Sequence, residues 1–545
     1  MTNLHTLDAA DRIDKQIMWN RLVTVVEEQA LVLLRTAFST IVREAGDLSA
    51  GVFDLQGRML AQAVTGTPGH VNSMAEAVGH FIRHFPLDTM AEGDAYICND
   101  PWMGTGHLND FVVTTPAFHR GRLVGLFSCT SHLMDIGGLG SGPEGLDVFM
   151  EGLYIPMLKL IDRGRVNETL LAMIRANTRL PVDTEGDTYS LAGCNDVGVR
   201  RLSEMMDEFG IDSLEPLADF IVAQSRDAVL AEVAKLPQGS WSYAMEVDGY
   251  DAPITLRGRL TVSPAGLHMD YAGSAGRQRK GINVPLTYAT AYTVYGMGCL
   301  VASRIPNNAG SLSPLTVSAP LGCVLNAEKP APVSARSVLG MMLPDMVFGC
   351  LRQAAPALVP AEGANCLWNL PLRGMRRDGT LFANSVSTTG GTGARPGLDG
   401  LSCTGFPSGI QGTPVEIAET QSPVIFWRKE FRPDSGGAGR TRGGLGQVIE
   451  IESAEDLPFA LVSSFDRVVF PARGQDGGSD GALGTVALSS GAVLPGKGRH
   501  EVPPGQRLIL STPGGAGLGP PSERDPALLA RDIEDGLVTP PPGPG

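Results

Sequence analysis

GTGHLNDFVVTTPAFHRGRLVGLFSCTSHLMDIGG (residues 104–138) sets His107 and Asp110 three apart and brings in His132 twenty-five positions after His107. The apolar, β-branched run FVVTTPAF reads as a strand. Leu123 to Phe127 reads as a second short strand, with His132 just past it. Two strands ending near each other would bring all three side chains to one point. Two imidazoles and a carboxylate suit a divalent metal that keeps positions open for water or substrate. The competing reading is a histidine that is simply hydrogen-bonded beyond a strand.

Working outward, Ile13, Ile17, Leu22, Val25, Val26 and Leu33 predict an amphipathic helix over about Asp11–Phe38. SAGVFD, a turn at Gln56-Gly57 and RMLAQA predict a hairpin, and a second helix follows over about Asn72–Phe85. A helical region is expected over about Val197–Leu236, broken near Gly210 and Pro216. Alternation at Trp241, Tyr243, Met245 and Val247, then Ile254–Val262 and Leu267–Tyr271, predicts three antiparallel strands with one buried face. Residues 281–304 and Leu339–Ala357 each hold an apolar helix. Beyond Phe426 short alternating strands sit among glycines. These patterns predict a multi-domain α+β fold of mixed helices and antiparallel sheets with a β-rich C-terminal region. The expected divisions are 1–237, 238–425 and 426–538, with a frayed tail over 539–545.

At 545 residues there is material for roughly three or four domain-sized units. The net charge of −15 disfavours nucleic acid and anionic membrane surfaces. No run of about eighteen apolar residues could span a bilayer, and the polar start MTNLHTLDAADRIDKQ is unlike a signal peptide. The eight scattered cysteines, with no C-x-x-C, suggest reduced thiols in a cytoplasmic protein.

NDPWMGTGHLNDF (99–111) and SHLMDIGG (131–138) resemble the paired motifs of the hydantoinase B/oxoprolinase family. LLRTAFSTIVREAGDLSAGVFDLQGRMLAQ (33–62), EGLYIPMLKL (151–160), KGINVPLTYATAY (280–292), SGGAGRTRGGLGQ (435–447) and PGGAGLGPPSERDP (513–526) follow in the family's order. The resemblance covers nearly the whole chain. It implies the B-type subunit of an ATP-dependent hydantoinase, lactamase or 5-oxoprolinase, with ATP used by a separate A-type subunit and hence a hetero-oligomer. A subunit of an acetone or acetophenone carboxylase is the alternative within the family, and a non-catalytic scaffold the alternative outside it. The resemblance also implies that Asp47 joins His107, Asp110 and His132 as a metal ligand, against its reading as a cap between helix and hairpin. Two His and two Asp suit Zn²⁺, Mn²⁺ or Fe²⁺ better than Ca²⁺.

Further candidates surround this set. Asp135 could orient a ligand imidazole or act as general base, or could satisfy loop amides. His70 could carry a proton or polarise a cyclic-amide carbonyl, or could merely flank a helix. Asn177, Arg179 and Asp187 fall in polar, loop-like sequence, where Asn177 and Arg179 could bind substrate, with Arg179 clamping a phosphate or carboxylate. The plainer reading of Arg179 is an Arg–Asp pair that holds the loop. No G-x-S-x-G elbow is present, and Cys129 reads as a packed strand thiol.

The glycine runs at Gly390–Gly397, Ser435–Gly446 and Pro513–Gly519 depart from the phosphate-loop and dinucleotide spacings. They read as tight turns where backbone passes close to a neighbour. Calorimetric titration of ATP into this chain alone is therefore expected to give no specific heat. Saturable binding mapped to residues 435–446 would contradict that reading.

Overall fold

The computed structural model describes residues 9–64, 66–140 and 142–540. The N-terminal part is built on a seven-stranded antiparallel sheet. Its strands are β1 (Leu48–Phe53), β2 (Met59–Gln62), β3 (Ala95–Cys98), β4 (Asp110–His119), β5 (Arg122–His132), β6 (Leu158–Asp162) and β7 (Arg165–Val166), in the order β2-β1-β5-β4-β3-β6-β7. Both faces are covered, and the alternation along each strand shows by what. Val52, Leu60 and Phe127 pack with helices Ala9–Thr36, Pro181–Phe209 and Glu215–Val233. Their neighbours Phe53, Met59 and Leu126 pack with helix Pro68–His84 on the other side. Double coverage explains why β4 reads as a nearly continuous apolar run.

Three expectations shift. The second helix starts at Pro68, four residues before the predicted point, because proline is well placed at the first helical position. His70 therefore lies in its first turn. Likewise Pro181 opens the Pro181–Phe209 helix where sequence suggested polar loop. Asp187 sits inside that helix and accepts the amides of Phe38 and Ser39 at 2.7 and 3.2 Å. Finally, β5 runs on to His132, which ends the strand rather than following it.

A second sheet joins Gly239–Val247, Ile254–Ser263 and Gly266–Asp270 antiparallel, as the alternation predicts, and adds Leu315–Ser318 parallel to the last. Helices Leu286–Val301 and Leu343–Arg352 share its core. The third sheet pairs Leu367–Met375 and Leu381–Thr389 with Phe459–Ser464 and Lys497–Val502. It crosses the boundary expected at 425, so the β-rich C-terminal part begins near Leu367. A five-stranded sheet containing Val424–Phe431 and Gln447–Ser453 packs with it around Trp368, Phe465, Ile449 and Leu510.

The three glycine runs lie against one another. Gly515 donates its amide to the Gly444 carbonyl at 2.9 Å, Gly437 to Gly515 at 2.8 Å and Gly391 to Pro513 at 3.1 Å. A Cβ on Gly443 would stand 2.0 Å from the Gly515 oxygen, so only glycine allows the approach. Of the expected tail, Thr539 is bonded to Asp434, and residues 541–545 lie outside the described ones. All eight cysteines are free thiols; Cys129 is packed in β5 and donates to the Leu191 carbonyl. Among the described residues no helix is long and apolar enough to cross a membrane.

The Trp368 ring stacks on Phe465 at 4.3 Å, nearly parallel, and its indole N–H donates to the Asp466 carbonyl at 3.2 Å. Trp368→Ala should cost about 3–5 kcal/mol, read as a lower denaturant midpoint followed by tryptophan-independent circular dichroism. An unchanged midpoint would show that this stack does not stabilise the C-terminal core.

Candidate metal site

Strand register assembles the site. Asp110 opens β4 and is the direct cross-strand partner of His132 at the end of β5. β1 pairs with β5 on the other side, Leu48 opposite Ser131. One step further, the His132 amide donates to the Asp47 carbonyl at 3.1 Å. Asp47, His132 and Asp110 thus stand in a row across one end of three adjacent strands. His107 joins from the loop before β4. Helix Pro68–His84 brings in His70, and the Thr67 amide anchors that helix start to the Leu48 carbonyl at 3.1 Å.

The side chains converge on Asp110, which is wholly buried. Its Oδ1 faces His107 Nε2 at 2.6 Å and His132 Nδ1 at 3.2 Å. Its Oδ2 accepts from Thr105 Oγ1 at 2.6 Å and Arg336 Nη2 at 2.6 Å, and meets His70 Nε2 at 3.0 Å. Ligand atoms of His107, Asp110 and His132 all lie within 4.8 Å of one another, and the two imidazole rings are 5.1 Å apart. Asp47 lies alongside, with Oδ1 3.1 Å from Thr67 Oγ1 and 3.4 Å from His70 Nδ1.

His107 shows what this cluster can hold. Its Nδ1 meets the Ser334 carbonyl at 3.0 Å, and its Nε2 meets a carboxylate oxygen. Neither of those oxygens can donate. Burial, helped by the Arg336 charge and opposed by Asp110, pushes the His107 pKa down to about 4. A neutral imidazole has one proton for two acceptors, so one contact sets lone pair against lone pair. With Nδ1–H given to Ser334, Nε2 and Asp110 Oδ1 together face a position that suits a cation. Outward nitrogen on a carbonyl, inward nitrogen on the site, is the usual support for a metal-binding histidine. The mixed nitrogen and oxygen donors suit Zn²⁺, Mn²⁺ or Fe²⁺. Burial disfavours the charged form of His70, but the Asp110 and Asp47 carboxylates outweigh it and raise its pKa. Burial alone would likewise raise Asp110; His107, His70 and Arg336 instead hold it well below the ordinary range.

Asp47, His70, His107 and His132 line one cavity with residues from the rest of the chain: Tyr288, Tyr292, Ser334, Arg336, Asn369, Ser385 and Ile410 among them. Asp135, Arg179 and Asn177 do not line it. Asp135 Oδ1 takes the Arg179 guanidinium at 2.8 Å, and the other oxygen takes the Arg179 amide. Arg179 also donates to the Gly138 carbonyl. This pair ties the loop after β5 to the start of helix Pro181–Phe209. Asn177 caps its own helix by donating to the Met173 carbonyl at 2.8 Å.

Sequence reasoning missed Arg336, Tyr288, Tyr292 and Glu151. Tyr288 and Tyr292 carried a signal, four apart on one helix face; Arg336, in unremarkable PVSARS, carried none. Gly106 makes room for Arg336. It has φ +93°, and a Cβ there would lie 2.7 Å from Arg336 Cδ. Glu151 Oε1 accepts the Val333 and Ser334 amides at 2.7 and 2.9 Å, which aims the Ser334 carbonyl at His107.

Residues 11–521 match the Hydantoinase B/oxoprolinase family, and the chain belongs to it. It is 28% identical to caprolactamase subunit beta of Pseudomonas jessenii, over 98% of this chain and 95% of that one. It is 27% identical to 5-oxoprolinase 1 of Arabidopsis thaliana, over 94% of this chain and 42% of that longer one. The crystal structure of the ATP-dependent caprolactamase from P. jessenii superposes with a TM-score of 0.89 at 26% identity, covering 98% of this chain and 95% of that chain.

Burial pushes the Glu151 carboxyl up to about 8, against the Ser334 and Val333 amides that favour its charged form. A folded-state pKa above the unfolded value of 4.5 gives stability that is complete below about pH 4.5 and is lost as pH rises through about 8. Glu151→Gln keeps an acceptor for both amides without the titration. The variant's stability relative to wild type should therefore rise across that window. A constant difference from acid to mildly alkaline pH would show that Glu151 is not held protonated.

Proposed function

We propose that this chain is the metal-dependent B-type subunit of an ATP-dependent cyclic-amide hydrolase of the hydantoinase, lactamase or 5-oxoprolinase kind. The observation that carries the proposal is the two-imidazole, one-carboxylate cluster, whose two histidines line a cavity. Family membership supports the reaction class, and the caprolactamase relative supports a lactam or similar ring as substrate and a second, A-type subunit that uses ATP.

The chemistry explains why two subunits are needed. Amide resonance protects the carbonyl of an unstrained five- to seven-membered ring. Phosphorylation of the carbonyl oxygen by the partner removes that resonance and installs a leaving group. The activated ring must then meet water in a controlled place. A divalent transition ion held by His107, Asp110 and His132, with Asp47 beside them, supplies Lewis acidity and makes water more acidic. His70 lies between the Asp47 and Asp110 carboxylates and can take up and return a proton during ring opening. Ser334 fixes the His107 ring, and Arg336 and Thr105 fix the Asp110 carboxylate. The cavity walls keep bulk water from the activated ring.

His107→Ala in the assembled complex separates the two half-reactions. The metal content of this chain should fall, while its fold persists because His107 lies on a loop. Ring-opened product should fall by several orders of magnitude while ATP-dependent phosphate release continues. Product formation near the wild-type rate in the metal-depleted variant would make the metal structural. Bicarbonate fixation without ring opening by the wild-type complex would place the chain among the carboxylases.

A further inference from the structure

Arg336 is 3% exposed, yet its donors are only partly used. Nε donates to the Thr105 carbonyl at 2.6 Å and Nη2 to Asp110 Oδ2 at 2.6 Å. Among the described residues no acceptor meets Nη1, and Arg336 forms part of the wall of the metal-site cavity. A guanidinium carries five donors and keeps its charge at any physiological pH. A buried one with donors left over beside a cavity is suited to an acceptor that enters from outside.

Two phenols stand with it. The Tyr288 ring lies 4.0 Å from the guanidinium carbon, and Tyr292 follows one helical turn later with its ring 5.1 Å from that of Tyr288. Both are buried and both line the same cavity. Burial raises the pKa of each, Tyr288 to about 12, so both keep their protons; the Tyr292 hydroxyl faces that of Tyr288, and the Tyr288 proton can go to an entering acceptor. Charge points the same way. The fixed charges around the cavity are the carboxylates of Asp47 and Asp110 and the guanidinium of Arg336. A divalent ion would leave one positive charge uncompensated in a low-dielectric pocket, where an unpaired charge is costly.

We propose that Arg336, Tyr288 and Tyr292 form an oxyanion seat facing the metal position, and that its occupant is the phosphoryl group of the activated substrate. The identity of the occupant rests on the hydrolase reading above; the seat itself rests on the geometry. Arg336 would then have two roles, holding Asp110 with one edge and the incoming anion with the other.

The test uses the full chain loaded with Mn²⁺ and titrated with inorganic phosphate, followed by calorimetry and by ³¹P relaxation, which the paramagnetic ion enhances only for nearby phosphorus. Saturable binding with strong relaxation enhancement is expected. Tyr288→Phe with Tyr292→Phe removes both hydroxyls and leaves the Arg336–Asp110 bond intact. It should weaken phosphate about tenfold or more at unchanged manganese content. Arg336→Lys should weaken phosphate as well, with metal content measured in parallel. Acetate and bicarbonate serve as controls and should bind less tightly than phosphate. Absence of saturable phosphate binding, equal affinity in the tyrosine variant, or acetate binding as tight as phosphate would each overturn the seat. These results are separable from failure of the hydrolase reading, which would appear as no ring opening by the complete complex even though phosphate binds.

Discussion

The buried carboxylate of Asp110 is the interaction on which the rest of this structure depends. A charge taken out of water costs several kcal/mol unless partners compensate it. Asp110 has five: His107 and His132 at one oxygen, Thr105, Arg336 and His70 at the other. They come from four stretches of chain, Thr105 and His107 sharing one loop, and three of them are visibly held in turn. Register with β4 holds His132, the Ser334 carbonyl holds His107, and the space left by Gly106 admits Arg336. Each lowers the cost of the buried charge, and the partners distant in sequence, His70, His132 and Arg336, are drawn to one site by it.

This dependence makes the cavity a product of the whole chain. The N-terminal sheet supplies the metal-ligand candidates. The segment Val333–Arg336, braced by Glu151, reaches in from the central part and touches both His107 and Asp110. Helix Leu286–Val301 contributes Tyr288 and Tyr292, and the third sheet contributes Asn369 and Ser385. Boundaries drawn along the sequence cannot show such a site, because its walls are made where the regions meet.

What was legible in the sequence follows from the same physics. The H-x-x-D pattern and the returning His132 could be read because a strand pair turns sequence spacing into cross-strand proximity, and the alternating strands after Pro237 could be read because one of their faces is buried. The helix start at Pro68 was misplaced because apolar periodicity shows a helix only after its first turn, and the one at Pro181 because the first half of that helix buries polar and small residues, Thr184, Gly186, Asp187, Thr188, Ser190 and Asn195 among them, which leave no apolar stripe. Asp135 and Arg179 have the residue types of a catalytic pair, yet they neutralise each other and hold a loop. The difference lies in which acceptor the arginine reaches, and spacing does not encode it. Arg336 was invisible for the opposite reason: it reaches its carboxylate 226 positions away in the chain.

A single transition ion is expected between His107 Nε2, Asp110 Oδ1 and His132 Nδ1. Anomalous diffraction from crystals of the metal-loaded protein, recorded on both sides of the absorption edge of the ion found by elemental analysis, tests it directly. The account predicts one strong anomalous peak within about 2.0–2.3 Å of all three atoms, with Asp47 next to it. A peak elsewhere, or none while His107 and His132 remain hydrogen-bonded to Asp110, would contradict it.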